Sequence, residues 1–167
     1  MIRVFASQLL KQQLPKQELE NLLSDFRQYK DSGVLPDTFG RDVPYDHPSN
    51  LPLIRSEEVQ HLHLKPANTP DWPAHLAPFR RTSDIHLVYC QGAIHPQYYY
   101  LMLILAPDAH QQARDNNRMF KLARMAESFR QHYRTRISHF FAGTCNWDSR
   151  KIDWKSCFMG MLHACLG

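Results

Sequence analysis

Two strand-like runs with a short break between them constrain this chain more than any other feature. Ile85 to Gln91 and Tyr98 to Leu105 are rich in β-branched, aromatic and aliphatic residues. Gly92, His95 and Pro96 punctuate the gap, so the pair reads as an antiparallel hairpin. The second run is apolar or aromatic throughout, as expected of a central strand covered on both faces. The first alternates, with Ile85, Leu87 and Tyr89 on one side and His86, Val88 and Cys90 on the other. A sheet built on this hairpin fixes His86 on one surface, and Arg80 and Arg81 lie at its entry.

Further elements follow from spacing. Ile2 to Phe5 reads as a first or edge strand. Leu19, Leu22, Leu23, Phe26 and Tyr29 recur at helical spacing between Pro15, suited to a first helical turn, and Gly33, suited to a helix end. Val34 to Ser56 reads as a long connection with four prolines and Gly40, of the kind that binds something or moves. Within it, Arg41 and Asp42 read as an ion pair bracing the loop. Val59 to Leu64 alternates, placing Leu62 and Leu64 on one face and His61 and His63 on the other. Trp72, in the proline-rich stretch that follows, reads as a lid over the core edge. Asp115, Asn116 and Asn117 offer caps for a second amphipathic helix carrying Met119, Leu122, Ala123, Ala126, Phe129 and Tyr133. From Arg114 to Arg136, seven Arg or Lys residues face only Asp115 and Glu127.

The order is strand, helix, long loop, three strands, helix. It predicts an α+β fold, an antiparallel sheet of about four strands with an N-terminal helix and a basic C-terminal helix packed on it. The expected domain is 1–136. Beyond it the periodicity is lost, and 137–167 reads as an atypical extension.

The 167 residues are enough for one domain with a real core, and the formal charge of +4 with ten histidines permits a polyanionic partner. No apolar run reaches the length of a membrane span, and the N-terminus lacks a signal peptide's apolar core, so a cytoplasmic protein without membrane contact is expected. Cys90, Cys145, Cys157 and Cys165 lack the close pairing of zinc modules and read as free thiols.

Several stretches resemble a known family. F-G-R-D at Phe39 to Asp42, P-L-I-R at Pro52 to Arg55, H-L-H-L at His61 to Leu64, R-T-S-D-I-H-L-V-Y-C-Q-G-A from Arg81 to Ala93, and A-R-D-N-N-R-M from Ala113 to Met119 look like the YafO-type toxins of bacterial type II toxin–antitoxin modules. The resemblance covers roughly residues 1–130. Such toxins are similar to RelE-like ribonucleases. The resemblance therefore implies a RelE-like fold, ribosome-dependent cleavage of mRNA, translation arrest, and three partners: the ribosome, the message and a cognate antitoxin protein. It implies no small-molecule cofactor. In relatives with an R-L-V-Y strand the residue before L-V-Y is a catalytic arginine, and here that position is His86.

RNA can be cut by its own 2′-hydroxyl, which attacks the adjacent phosphorus and expels the 5′-oxygen. A protein must then supply alignment, a base, an acid and positive charge for the phosphate. Histidine suits the proton transfers and arginine the phosphate. The catalytic candidates are His86, His63, His61 and Arg81, with Asp84 as the alternative partner of Arg81 across a turn. Arg80, Arg114, Arg118, Lys121 and His110 are the candidate RNA- or phosphate-binding residues. Tyr89 reads as core. A zinc site on His61, His63 and His86 is not expected, because H-x-H supplies two ligands without assuring a third. Two other readings remain: a ribosome- or RNA-binding inhibitor that does not cut, and a gyrase poison on the same fold.

Overall fold

The hairpin forms the middle of a five-stranded mixed sheet with strand order β1-β5-β4-β3-β2. The strands are β1 (Arg3–Ala6), β2 (Phe39–Pro44), β3 (Gln60–Leu64), β4 (His86–Gln91) and β5 (Tyr98–Leu105). The computed structural model describes residues 1–140 apart from 49, 68 and 74. Residues 1–137 form one compact unit. Past the helix end at Phe140, the rest of the expected extension over 137–167 lies outside the described residues, and Cys145, Cys157 and Cys165 with it.

Two expectations need correction. The sheet has five strands, because Phe39–Pro44 of the supposed long loop is an edge strand paired antiparallel with β3. Its register slips between Phe39 and Asp42, and such a bulge erases the alternation by which a strand is recognised. Gly40 sits in that irregularity. A Cβ there would come 2.2 Å from the Arg81 carbonyl oxygen, which also accepts the Arg41 amide at 2.7 Å. The second correction is that β1 pairs parallel with β5, not antiparallel.

Each face of the sheet carries a buried core. On one lies α2 (Lys16–Ser32), whose stripe through Leu19, Leu22, Leu23, Phe26 and Tyr29 packs with Leu62, Leu87, Tyr89 and Leu101. Phe26 is fully buried, which stabilises the fold by about 1.5–3 kcal/mol. Pro15 stands just before the helix as its N-cap, and Gly33, at φ 74°, ends it by donating its amide to Tyr29 O. A short helix that the sequence did not announce, α1 (Gln8–Gln13), precedes α2; Ser7 caps it by accepting the Leu10 amide.

The opposite face carries a second core. Val88, Cys90, Met102 and Leu105 meet Met119, Leu122, Ala123, Ala126 and Phe129 of the long C-terminal helix. Among the described residues, three α-helices lie outside the α1–α2 layer: α3 (Pro52–Ser56), α4 (Ala109–Gln112) and this long one, α5 (Asn116–Phe140). Asp115 caps α5, its carboxylate accepting the amides of Asn117 and Arg118.

Candidate active site

Cross-strand register builds the site. In β3 the residues either side of Leu62 turn away from the α2 core, so His61 and His63 share the α5 face. β3 pairs antiparallel with β4, which sets His63 opposite His86 and His61 opposite Val88. The ring centroids lie 4.4 Å apart for His63–His86, 4.5 Å for His61–His86 and 5.2 Å for His61–His63. α4 brings in a fourth imidazole. His110 is 4.6 Å from His86 and 5.7 Å from His63.

Each ring is held from behind. His110 Nδ1 lies 2.6 Å from Asp84 Oδ1, and the same oxygen accepts the His110 amide at 2.9 Å. His63 Nδ1 lies 2.7 Å from the Ser83 carbonyl oxygen. His86 Nδ1 lies 3.0 Å from the Tyr45 hydroxyl. Tyr45 also stacks on His61 at 4.1 Å and 21°. The three strand histidines are buried, whereas His110 and Asp84 are exposed. An open groove of about 350 Å³ runs past His61, His63 and His110, with Arg41, Asp46 and Thr82 on its walls.

The cluster is short of countercharge. Burial, then the neighbouring imidazoles, push the His61 pKa down to about 2. Burial followed by the charges of His63 and His110 takes His86 down to about 3. His63 is also lowered, chiefly by burial. Near neutral pH these three rings are therefore uncharged. Asp84 is held below the usual carboxylate range, first by the hydrogen bond from the His110 amide and then by the one from its ring.

The family described as toxin YafO of type II toxin–antitoxin systems matches residues 27–131. The chain belongs to this family. It is 50% identical over 133 residues to the mRNA interferase toxin YafO of Escherichia coli strain K12, an alignment spanning 79% of this chain and 100% of that relative. No solved structure matches the chain. The residues of this YafO-family toxin that form the histidine groove all fall inside the matched segment.

Of the residues singled out in the sequence, His61, His63, His86 and His110 come together in the toxin, and His110 lies on α4. Arg81 does not join them. Its guanidinium bonds the Leu76 carbonyl oxygen at 3.2 Å and lies 4.0 Å from Asp37. Its supposed alternative partner, Asp84, is engaged by His110. Arg80 lies over the Phe79 ring. Arg114 and Lys121 are exposed, while Arg118 bonds Gln112.

Arg41, Tyr45 and Asp84 are the members that sequence reasoning missed. Arg41 lies in the bulged stretch of β2 and faces the groove, whereas Asp42 faces α2. Asp42 bonds Lys30 at 2.6 Å and Tyr29 at 3.0 Å. Arg41 lines the groove, and its charge helps lower the pKa values of His61 and His63. The third imidazole that H-x-H alone cannot assure is supplied by the β3–β4 register: one ligand atom from each of His61, His63 and His86 lies within 4.8 Å of the others.

Proposed function

We propose that this toxin is a ribosome-dependent mRNA interferase whose endoribonuclease site is the histidine groove. The relative's description as an mRNA interferase toxin, over its full length, supports the activity. One observation carries the assignment to the groove. The Asp84–His110 pair stands beside His63, with Arg41 on the same groove wall.

On this reading a message phosphate enters the groove and the Arg41 guanidinium binds its oxygens. Asp84 holds the His110 Nδ1 proton, leaving Nε2 with a lone pair to accept the proton of the 2′-hydroxyl. The freed oxygen attacks phosphorus and the 5′-oxygen departs, leaving a 2′,3′-cyclic phosphate. His63 and His86 are the donors nearest the leaving oxygen. Burial opposes their protonation, and the phosphate's negative charge favours it. His61 stacks on Tyr45 and supports the pair. The reaction needs no metal and no small-molecule cofactor. Arg81, placed in the catalytic set by its sequence position, takes a bracing role instead.

The basic residues Arg80, Arg114, Arg118 and Lys121 serve contacts with message and ribosomal RNA, in a toxin domain over 1–136 with a RelE-like layout. The toxin acts in the cytoplasm, where translating ribosomes are, until its cognate antitoxin binds. No helix among the described residues is long and apolar enough to cross a membrane. The test is to compare free RNA with translated message. The toxin should cut the translated message at discrete sites and leave free RNA largely intact, and the cutting should weaken as salt rises. Salt-insensitive degradation of naked RNA, or arrest with intact message, contradicts the proposal.

A further inference from the structure

We propose that His61, His63 and His86 form a binding site for one divalent transition-metal ion of the zinc class. The three offer one ligand atom each, all within 4.8 Å of one another. A tetrahedral ion with bonds of about 2.0–2.1 Å holds its ligand atoms about 3.3 Å apart, so modest ring rotations close the set.

Two further observations point to a ligand. His61 Nδ1 and His86 Nε2 are buried ring nitrogens with no hydrogen-bond partner among the described residues. A buried polar atom left unpaired costs roughly 1–3 kcal/mol, and an ion between the rings would satisfy both. The rings also carry the outer contacts that metal-binding imidazoles use. His63 Nδ1 is 2.7 Å from the Ser83 carbonyl oxygen, and His86 Nδ1 is 3.0 Å from the Tyr45 hydroxyl. With the proton at Nδ1 donated to these oxygens, each ring turns its Nε2 lone pair to the ion.

The donor set selects the ion. Three imidazoles suit zinc, cobalt, nickel or copper, whereas magnesium and calcium require oxygen ligands. His61 and His63 border the groove, so the fourth position opens there to water or to His110. An ion in this place occupies the lone pairs through which His63 and His86 would move protons. The metal-bound toxin is then a silent form of the nuclease; that consequence, unlike the binding itself, rests on the function proposed above.

The test uses full-length toxin carrying Cys145→Ser, Cys157→Ser and Cys165→Ser, stripped with chelator and titrated with Zn2+ by calorimetry and Co2+ by visible absorption. Expected are one ion per chain, a tetrahedral cobalt spectrum without thiolate bands, and affinity at least ten-fold weaker in His61→Gln and His63→Gln. His95→Gln, outside the cluster, should bind as the parent does. No binding at millimolar zinc, an octahedral cobalt spectrum, or parental affinity in both cluster variants overturns the site. The cobalt spectrum of the parent decides the matter even if a variant fails to fold. Bound zinc should also suppress message cleavage on ribosomes; undiminished cleavage by zinc-loaded toxin overturns the proton-transfer roles of His63 and His86 and leaves the binding site standing.

Discussion

Asp84 and His110 are 26 residues apart in the chain, yet one carboxylate oxygen of Asp84 receives both the backbone amide and the ring Nδ1 of His110. This double contact fixes the place of the short helix α4 and the tautomer of its histidine together. Asp84→Asn should keep the shape and lose the charge that holds the proton at Nδ1. Cleavage of translated message is expected to fall about 10- to 100-fold, toward the lower end of what a positioned proton-transfer group contributes. The melting temperature should stay near that of the parent, since both side chains are exposed. Parental cleavage by a folded Asp84→Asn protein removes this pair from the mechanism.

Arg41 and Arg81 separate along the same lines. Arg41→Ala should reduce cleavage by about two orders of magnitude, as loss of a donor to the reacting phosphate does elsewhere, with little change in melting. Arg81→Ala should do the reverse, because its guanidinium ties the chain at Leu76 and Asp37 beside the β2 edge. Denaturation curves and cleavage assays on the two variants, run in parallel, check the pair. Equal effects on activity contradict the placement of Arg81 outside the groove.

That distinction explains what the sequence could and could not convey. Period-two alternation in Val59 to Leu64 and Ile85 to Gln91 was enough to put His61, His63 and His86 on one face, because both strands keep their pleat over those residues. Arg41 was hidden by the slip between Phe39 and Asp42, which broke the alternation and made a strand look like a loop. Read as a loop, Arg41 and Asp42 pass for natural partners; in β2 one faces the groove and the other faces α2. Asp84 was hidden for another reason. Its partner His110 comes from beyond β5, and only the way the chain turns after that strand brings the two together. The parallel pairing of β1 with β5 is equally non-local, since nothing in Arg3–Ala6 records its direction.

On the α2 face, Asp42 joins a partly buried polar network. Lys30 reaches Asp42 at 2.6 Å and the Tyr89 hydroxyl at 2.8 Å, and that hydroxyl also lies 2.7 Å from Asp42 Oδ1 and 2.6 Å from Gln60. Tyr89 is core, as its alternation suggests, but it carries a polar end that must be satisfied. Asp42→Ala takes the carboxylate away from Lys30 and should cost about 1.5–3 kcal/mol. Tyr89→Phe removes a hydroxyl and should cost about 1–2 kcal/mol. Urea denaturation measures both; a near-neutral Asp42→Ala would show the network contributes little.

Alkaline pH should loosen the other core, on the α5 face. Burial pushes the Cys90 thiol up to about 12, and the Tyr100 hydroxyl likewise up to about 12. Both stay protonated in the folded protein, whereas the unfolded chain releases these protons near the ordinary values of about 8.5 and 10. Above those values the unfolded state binds fewer protons, so the slope of unfolding free energy with pH is negative. Stability is fully present below about pH 8.5 and declines as pH rises toward about 12. Melting temperatures should drop between about pH 8 and pH 10.5; a flat profile contradicts the burial of these groups as ionisable acids.

The most direct test of the groove as a nuclease site is to map mRNA 5′ ends on translating ribosomes, comparing the parent toxin with His110→Ala. His110 is exposed, so its truncation leaves both cores untouched. The parent should produce discrete new ends, and the variant, with unchanged melting, should reduce them about 100-fold or more. New ends at parental abundance from folded His110→Ala protein would place the cutting site elsewhere.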